Sequence, residues 1–421
     1  MKRSTLGFAA GFALLCAWGC VREETAPEKV PQAEEPILRW VEVRAAELPD
    51  FTDHSDSESL IRAIDRQLAW FEASPRQQTW SFGDETVSSA RVIATLRAFR
   101  QLWLDAGGDS QLLRQGISKQ FSVYQVTFDD LPDILFTGYH SPILEGRLQP
   151  SDRFRYPLYR TPDDAVTIRP SLFDDRILQK GTSIRHDRVV GRVDANTNEI
   201  IPYFSREQID HGGALQGRNL EIVWLDDPFQ TFLFHVQGGG FVRLEDGRFI
   251  KLNYASKNSH PYTSIGKALV GEGKIPQEEI SIQAIQRYFE KHPDDVHRVL
   301  NLNKSYVFYD FDGRFYAAIE PDMYPTGILG FPVTPKRSIA TDKKFFPGGA
   351  LAYIQGHQRL PEGGTKAFAG FAIDQDTGGA IKYAHIDVYQ GAGPEAEAMA
   401  GLLKDDFGRL FFLLLKTAGD P

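Results

Sequence analysis

Two aspartates, Asp376 and Asp387, flank a glycine pair in FAIDQDTGGAIKYAHIDVYQG (371–391), and their setting suits proton transfer. The apolar run beginning at Phe371 ends at Asp374, and Asp376-Thr377-Gly378-Gly379 reads as a turn whose glycines supply conformations other residues resist. From Ala380 to Tyr389 a period of two predicts a strand. It puts Ile381, Tyr383, His385, Asp387 and Tyr389 on one side and Lys382, Ala384, Ile386 and Val388 on the other. A carboxyl among aromatic rings is desolvated, which disfavours its charged form and raises its pKa toward the range where it can donate a proton. Asp387 is therefore the candidate general acid. The plainer alternative is a carboxylate that caps a turn or accepts backbone hydrogen bonds.

The elements that must position these groups are mainly β, with helices near the N-terminus. In DSESLIRAIDRQLAWFEA, Leu60, Ile61, Ile64, Leu68 and Phe71 recur at helical spacing after the cap candidates Asp56 and Ser57. A second helix is predicted through Val92, Leu96, Phe99 and Trp103, stopped at Gly107-Gly108. From about Phe121 short strands with frequent Gly, Pro, Asn and Asp predominate. Ser281–Phe289 reads as a core-facing helix through Ile282, Ile285 and Phe289, and Pro394 opens another that runs to about Leu403. The last strand, Gly408–Lys416, is apolar throughout, as a strand buried on both faces would be.

Composition and spacing exclude several classes. The chain has 421 residues, room for two or more domains, and a formal net charge of −9 without the basic clusters a nucleic-acid partner needs. Gly238-Gly239-Gly240 lacks the Lys-Ser/Thr of a phosphate cradle and predicts a bulge or a close backbone approach instead. His140, His235, His260 and His385 have no metal-ligand spacing, so neither metal nor cofactor is expected. Asp376-Thr377-Gly378 imitates the aspartic-protease triplet, but no second copy exists in the chain to share a proton with it.

The run DTGGAIKYAHIDVYQGAGPEAEAMAG, Asp376–Gly401, resembles the three-aspartate domain of the membrane-bound lytic murein transglycosylase A family. Its elements are the Asp-x-Gly-Gly-Ala-Ile-Lys turn, the His-x-Asp-x-Tyr-x-Gly strand end and Gly-Pro-Glu-Ala at a helix start. The catalytic aspartate of that pattern falls on Asp387, and the other two signature aspartates resemble Asp376 and Asp342. The segments at 133–148, 156–160, 234–247 and 252–275 resemble the family's insert domain, with His140 in place of a tyrosine and His235 in place of an aspartate, a change expected to alter substrate contacts. Thr137, Gln237, Lys382 and Tyr389 match recurring family segments and are substrate-binding candidates.

The resemblance implies a double-psi β-barrel domain with a second β domain inserted into it and a groove between them. It divides the chain into a signal (1–20), a tether (21–50), the N-terminal part of the first domain (51–140), the insert (141–300) and the C-terminal part (301–421). It further implies cleavage of the β-1,4 bond between N-acetylmuramic acid and N-acetylglucosamine in peptidoglycan, leaving 1,6-anhydromuramic acid ends. Hydrolysis to reducing ends, or glycan binding without cleavage, are the alternatives.

Lys2 and Arg3 precede an apolar stretch from Leu6 to Trp18 that is too short to span a membrane. With Gly19-Cys20 and a polar, Pro-containing sequel, it resembles a bacterial lipoprotein signal in which Cys20 carries the lipid. The other cysteine, Cys16, would leave with the signal, so no disulfide is expected. Val21 after the lipidated residue favours the outer membrane, with the body tethered in the periplasm beside glycan strands. Cell-wall synthesis or hydrolysis complexes are candidate partners.

Overall fold

A short strand, β1 (Leu38–Glu42), leads into helix α1 (Ser57–Ala73), which starts where Asp56 Oδ1 accepts the Ser59 N–H at 2.7 Å. The hairpin β2 (Thr79–Phe82) and β3 (Glu85–Ser88) precedes α2 (Ser89–Ala106), which Ser88 caps and Gly107 stops. Then comes α3 (Ser110–Gln120), capped by Asp109. The computed structural model describes residues 36–73, 78–82, 85–172, 189–320, 323–327, 330–379 and 381–417. Cys20, the signal and the first part of the tether lie outside them.

Strands β4 (Phe121–Phe128) and β5 (Ile134–Ser141) continue the main sheet that β1 opens. The chain then leaves it for β6 (Ile143–Arg147), β7 (Tyr156–Tyr159), β8 (Val166–Ile168), β9 (Val189–Val193) and β10 (Ile200–Pro202). Next come α4 (Arg206–Asp210), β11 (Glu221–Leu225), α5 (Pro228–Gln237), β12 (Gly240–Arg243) and β13 (Phe249–Lys257). Helices α6 (Ile265–Gly271), α7 (Ile282–Lys291) and α8 (Val296–Asn301) precede β14 (Val307–Asp310). These strands form a six-stranded sheet in the order β14-β13-β12-β6-β11-β7 and a three-stranded sheet of β8, β9 and β10. Leu158, Val223, Val242, Ile250 and Leu252 fill the core of the larger one.

Helices are more numerous here than the strand-rich reading of the sequence predicts. Helix α5 is one example: Asp227 caps it, Pro228 opens it and Gly238 ends it, but its apolar residues lie all round and hide the helical period. The glycines that follow do meet backbone closely. A Cβ on Gly239 would lie 2.7 Å from Leu252 O, and one on Gly240 2.6 Å from Pro142 O. In α7, Ile285 and Phe289 are buried as expected, whereas Ile282 is partly exposed.

The chain returns through β15 (Ser338–Ala340), β16 (Leu351–Arg359), β17 (Thr365–Asp376), β18 (His385–Ala392), α9 (Pro394–Leu402) and β19 (Lys404–Leu415). β5 runs parallel to β18, β18 pairs with β15, β15 runs parallel to β17, and β17, β16 and β19 follow. β19 pairs back to β5, so six strands close into a barrel-like ring, with β4 and β1 extending from β19. The molecule is thus mainly β with N-terminal helices, as the sequence predicts.

Strand β19 explains its own composition. Leu410 and Phe412 point into the ring beside Ile386, Val388 and Ala352, while Phe411 and Leu413 lie under the helices with Phe99, Phe371 and Ile373. Both faces are dry, so no alternation survives. The helical layer is also fastened by Arg337, which is fully buried: its guanidinium makes bonds of 2.6 and 3.0 Å to Asp53 and donates to Phe371 O, Asp56 O and Ser59 Oγ. All five of its N–H groups are used. Among the described residues no helix is long and apolar enough to cross a membrane.

Candidate active site

The parallel pairing of β5 with β18 sets Leu135 beside His385, Thr137 beside Asp387 and Tyr139 beside Tyr389. Alternation along both strands then sends Phe136, Ile386 and Val388 into the ring and keeps Thr137, His385 and Asp387 on the opposite face. β18 starts only at His385, later than the period of two predicts. Tyr383 has a φ of 54°, which breaks the extended run, and Ala380 lies outside the described residues.

Thr137 Oγ1 donates to Asp387 Oδ1 at 2.9 Å and lies 2.7 Å from His385 Nε2. Asp387 is half-buried. Burial pushes its pKa up to about 7; the Thr137 hydroxyl opposes this, and the negative charge of Asp376 adds to it. Among the described residues no cation donates to the group.

Asp376, at the end of β17, accepts the Tyr139 hydroxyl at 2.8 Å and the Thr377 N–H at 2.9 Å. Burial, and then Asp376, hold Tyr139 far above the ordinary phenol range, so it remains a donor. The loop around Gly327 lies directly on this carboxylate. A Cβ there would sit 3.3 Å from Asp376 Cγ and 2.7 Å from Gln375 O, an approach only glycine permits.

Tyr389, a substrate-binding candidate from the sequence, is fully buried. Its hydroxyl bonds to Ser141 Oγ at 2.8 Å and its ring packs 5.1 Å from Tyr139 and 5.9 Å from Tyr324, so it braces Tyr139 from behind. Asp342 is also buried and accepts the backbone N–H groups of Lys344 and Tyr383, which fixes the turn leading into β18. Lys382 is exposed in that turn. Gln237 accepts the His140 N–H at 3.4 Å and shares a small pocket with His140, Leu233, Ile282 and Pro394. His235 is buried and pairs with Arg206 at 3.1 Å, which removes it from any surface contact. His260 bonds to Tyr203 O. Among the described residues no three His, Cys, Asp or Glu side chains gather as metal ligands.

Two groups escaped the sequence reading. Asp374 is fully buried behind the site, ion-paired with Lys343 and bonded to Thr341 Oγ1 at 2.8 and 3.0 Å. Burial raises its pKa to about 6 against the opposing Lys343 charge. The sequence offers only an acid at the end of an apolar run, with Lys343 as a distant partner. His385 was legible as part of the His-x-Asp spacing, but its link to Asp387 through Thr137 was not.

The arrangement supplies one carboxyl poised to lose and regain a proton near neutral pH, beside a second carboxylate held by fixed donors. The MltA specific insert domain family matches residues 135–310 and the 3D domain family matches residues 337–414. The chain is 31% identical over 324 residues to the membrane-bound lytic murein transglycosylase A of Escherichia coli K12, covering 76% of this chain and 74% of that one. It is 30% identical over 343 residues to the Vibrio cholerae protein of the same name, 79% of each chain. The crystal structure of a membrane-bound lytic murein transglycosylase from Agrobacterium tumefaciens superposes with a TM-score of 0.72 at 26% identity, covering 90% of this chain and 98% of that one.

Proposed function

Since the chain belongs to the membrane-bound lytic murein transglycosylase A family, we propose that it is a peptidoglycan lytic transglycosylase in which Asp387 acts first as acid and then as base. The observation that carries this reading is the Asp387 carboxyl, which accepts the Thr137 hydroxyl beside the Asp376 charge, has no ion-pair partner among the described residues and has its pKa pushed by burial up to about 7.

Protonated Asp387 gives its proton to the glycosidic oxygen between N-acetylmuramic acid and N-acetylglucosamine as the bond to C1 breaks through an oxocarbenium-like transition state. The resulting carboxylate then takes the proton of the muramic acid C6 hydroxyl, whose oxygen closes onto C1. One bond breaks, one forms, and the proton count of Asp387 is restored. The product carries a 1,6-anhydro ring. The nucleophile belongs to the substrate and is already near C1, so proximity replaces the second carboxyl that activates water in hydrolases. Burial holds the proton on Asp387, and Asp376, itself held by Tyr139 and Thr377, adds to this through its charge.

The same family membership supports association with a membrane, through a lipid on Cys20 and with the body facing peptidoglycan from the outer membrane. The two parallel strand pairs of the ring, β5 with β18 and β15 with β17, support the double-psi reading of the barrel. The insert is taken to begin near residue 141 and to extend past 300 through β14, whose strand belongs to the six-stranded sheet.

The test is digestion of purified sacculi by protein lacking residues 1–20, with mass spectrometry of the released muropeptides. Ends lighter by one water than hydrolysed ends are expected. Reducing ends would make water the nucleophile and Asp376 the second catalytic group; no release beside an active control enzyme would leave a glycan-binding protein.

A further inference from the structure

Thr137 Oγ1 contacts both Asp387 Oδ1, at 2.9 Å, and His385 Nε2, at 2.7 Å, but a hydroxyl has one hydrogen. When that hydrogen points to Oδ1, the second contact is a bond only if His385 donates from Nε2. When Nε2 carries no hydrogen, the hydroxyl must donate to it, and the Oδ1 contact survives only with the acid proton on Oδ1. The chain Asp387–Thr137–His385 therefore has two polarities, and each fixes a different oxygen of Asp387 as the protonated one.

A general acid must carry its proton on the oxygen that faces the scissile bond. With Oδ1 turned to Thr137, that oxygen is Oδ2, and the required polarity is His385 Nε2–H to Thr137 Oγ1, then Thr137 O–H to Asp387 Oδ1. We propose that His385 is a positioning residue for the reaction: through its Nε2–H and the Thr137 hydroxyl it keeps the acid proton of Asp387 on Oδ2. The parallel register supports this, because Thr137 lies directly beside Asp387 and His385 precedes Asp387 by one full pleat on the same face. Among the described residues, the other ionisable groups whose charges couple to Asp387 are Asp376 from β17 and Tyr139 from β5, and they bond to each other.

This inference rests on the reading of Asp387 as the acid and has its own test. Turnover of soluble, uncross-linked glycan strands is measured for His385→Phe, His385→Gln, Thr137→Val and the double variant Thr137→Val/His385→Phe, with melting temperature as a control for folding. His385→Phe should lower kcat about 10- to 100-fold with KM little changed, because only the proton's placement is lost. His385→Gln, whose amide can donate from nearly the same position, should recover most of the rate. The double variant should be no slower than Thr137→Val alone, since His385 acts through that hydroxyl.

Multiplying losses in the double variant, or a wild-type rate for His385→Phe, would overturn the inference. If His385→Phe does not fold, His385→Asn, too short to reach Oγ1, takes its place in the same comparison. An Asp387→Ala enzyme at wild-type rate would remove the underlying reading, whereas an inactive Asp387→Ala beside an unaffected His385→Phe would remove this inference alone.

Discussion

Asp387, on a strand of the ring, and Asp53, in the segment before α1 that packs on it, are both aspartates, yet they are treated in opposite ways. Asp53 meets the Arg337 guanidinium through two bonds and also accepts the Phe371 N–H, so its charge is fully matched. Asp387 receives one threonine hydroxyl and the repulsion of Asp376. The first arrangement freezes a charge in place, which joins the helical layer to the ring; the second leaves the charge unsupported, so the proton becomes exchangeable. Asp374 stands between them, paired with Lys343 but buried deeply enough that its pKa still rises to about 6. The raised pKa of Asp387 thus goes with a withheld partner, not an added one.

The contrast can be broken most severely at Asp387. Asp387→Asn should lower turnover by about 10³-fold, measured by muropeptide release, with the fold intact. Its stability should also change with pH. A folded pKa near 7 against an ordinary value of 3.8 means that the native state keeps a proton the unfolded chain has lost. Stability from this group is therefore fully present below about pH 4 and declines as pH rises through 7. Thermal melts should show Asp387→Asn gaining on the wild type over that window, with Asp374 leaving a smaller decline of the same sign in both proteins.

At the other pole, Asp53→Ala leaves a buried guanidinium without its counter-charge and should cost about 3–5 kcal/mol in chemical denaturation. Turnover per folded molecule should hold. A loss of turnover without loss of stability would reverse the assignment of the two aspartates. Asp376→Asn removes the charge that adds to burial in keeping Asp387 protonated, so the alkaline limb of the pH–rate profile should move slightly below 7, with a rate loss of about twofold at neutral pH. Far from both, Asp109→Ala removes only the α3 cap. It should cost about 1 kcal/mol and leave the profile unmoved.

Much of this contrast was visible in the sequence at Asp387, because its neighbours in chain order are also its neighbours on the strand face. His385 and Asp387 are two residues apart, and alternation alone puts them on one side. The double-faced burial of β19 was legible for a similar reason: an unbroken apolar run has few other homes. Asp53 was silent, since nothing around it announces a partner at Arg337, and Asp374 was masked by the apolar residues before it. The bracing role of Tyr389 was not legible, because a tyrosine two residues from Asp387 suits substrate contact as well as bracing in the sequence, and the structure adds that it is buried. Helix α3 was missed although Asp109 caps it, because its short apolar stripe of Leu113 and Ile117 gives a weak period.

The closure of the ring by β19 bears on when activity can arise. Thr137 and Asp387 are separated by 250 residues in the chain, and the strand that joins β16 to β5 begins only at Lys404. Pairings between such distant segments form late and slowly, because a long loop must close before any contact rewards it. A nascent chain thus carries Thr137 and Asp387 apart for most of its synthesis, and the two meet on a closed ring only when the final strand is in hand.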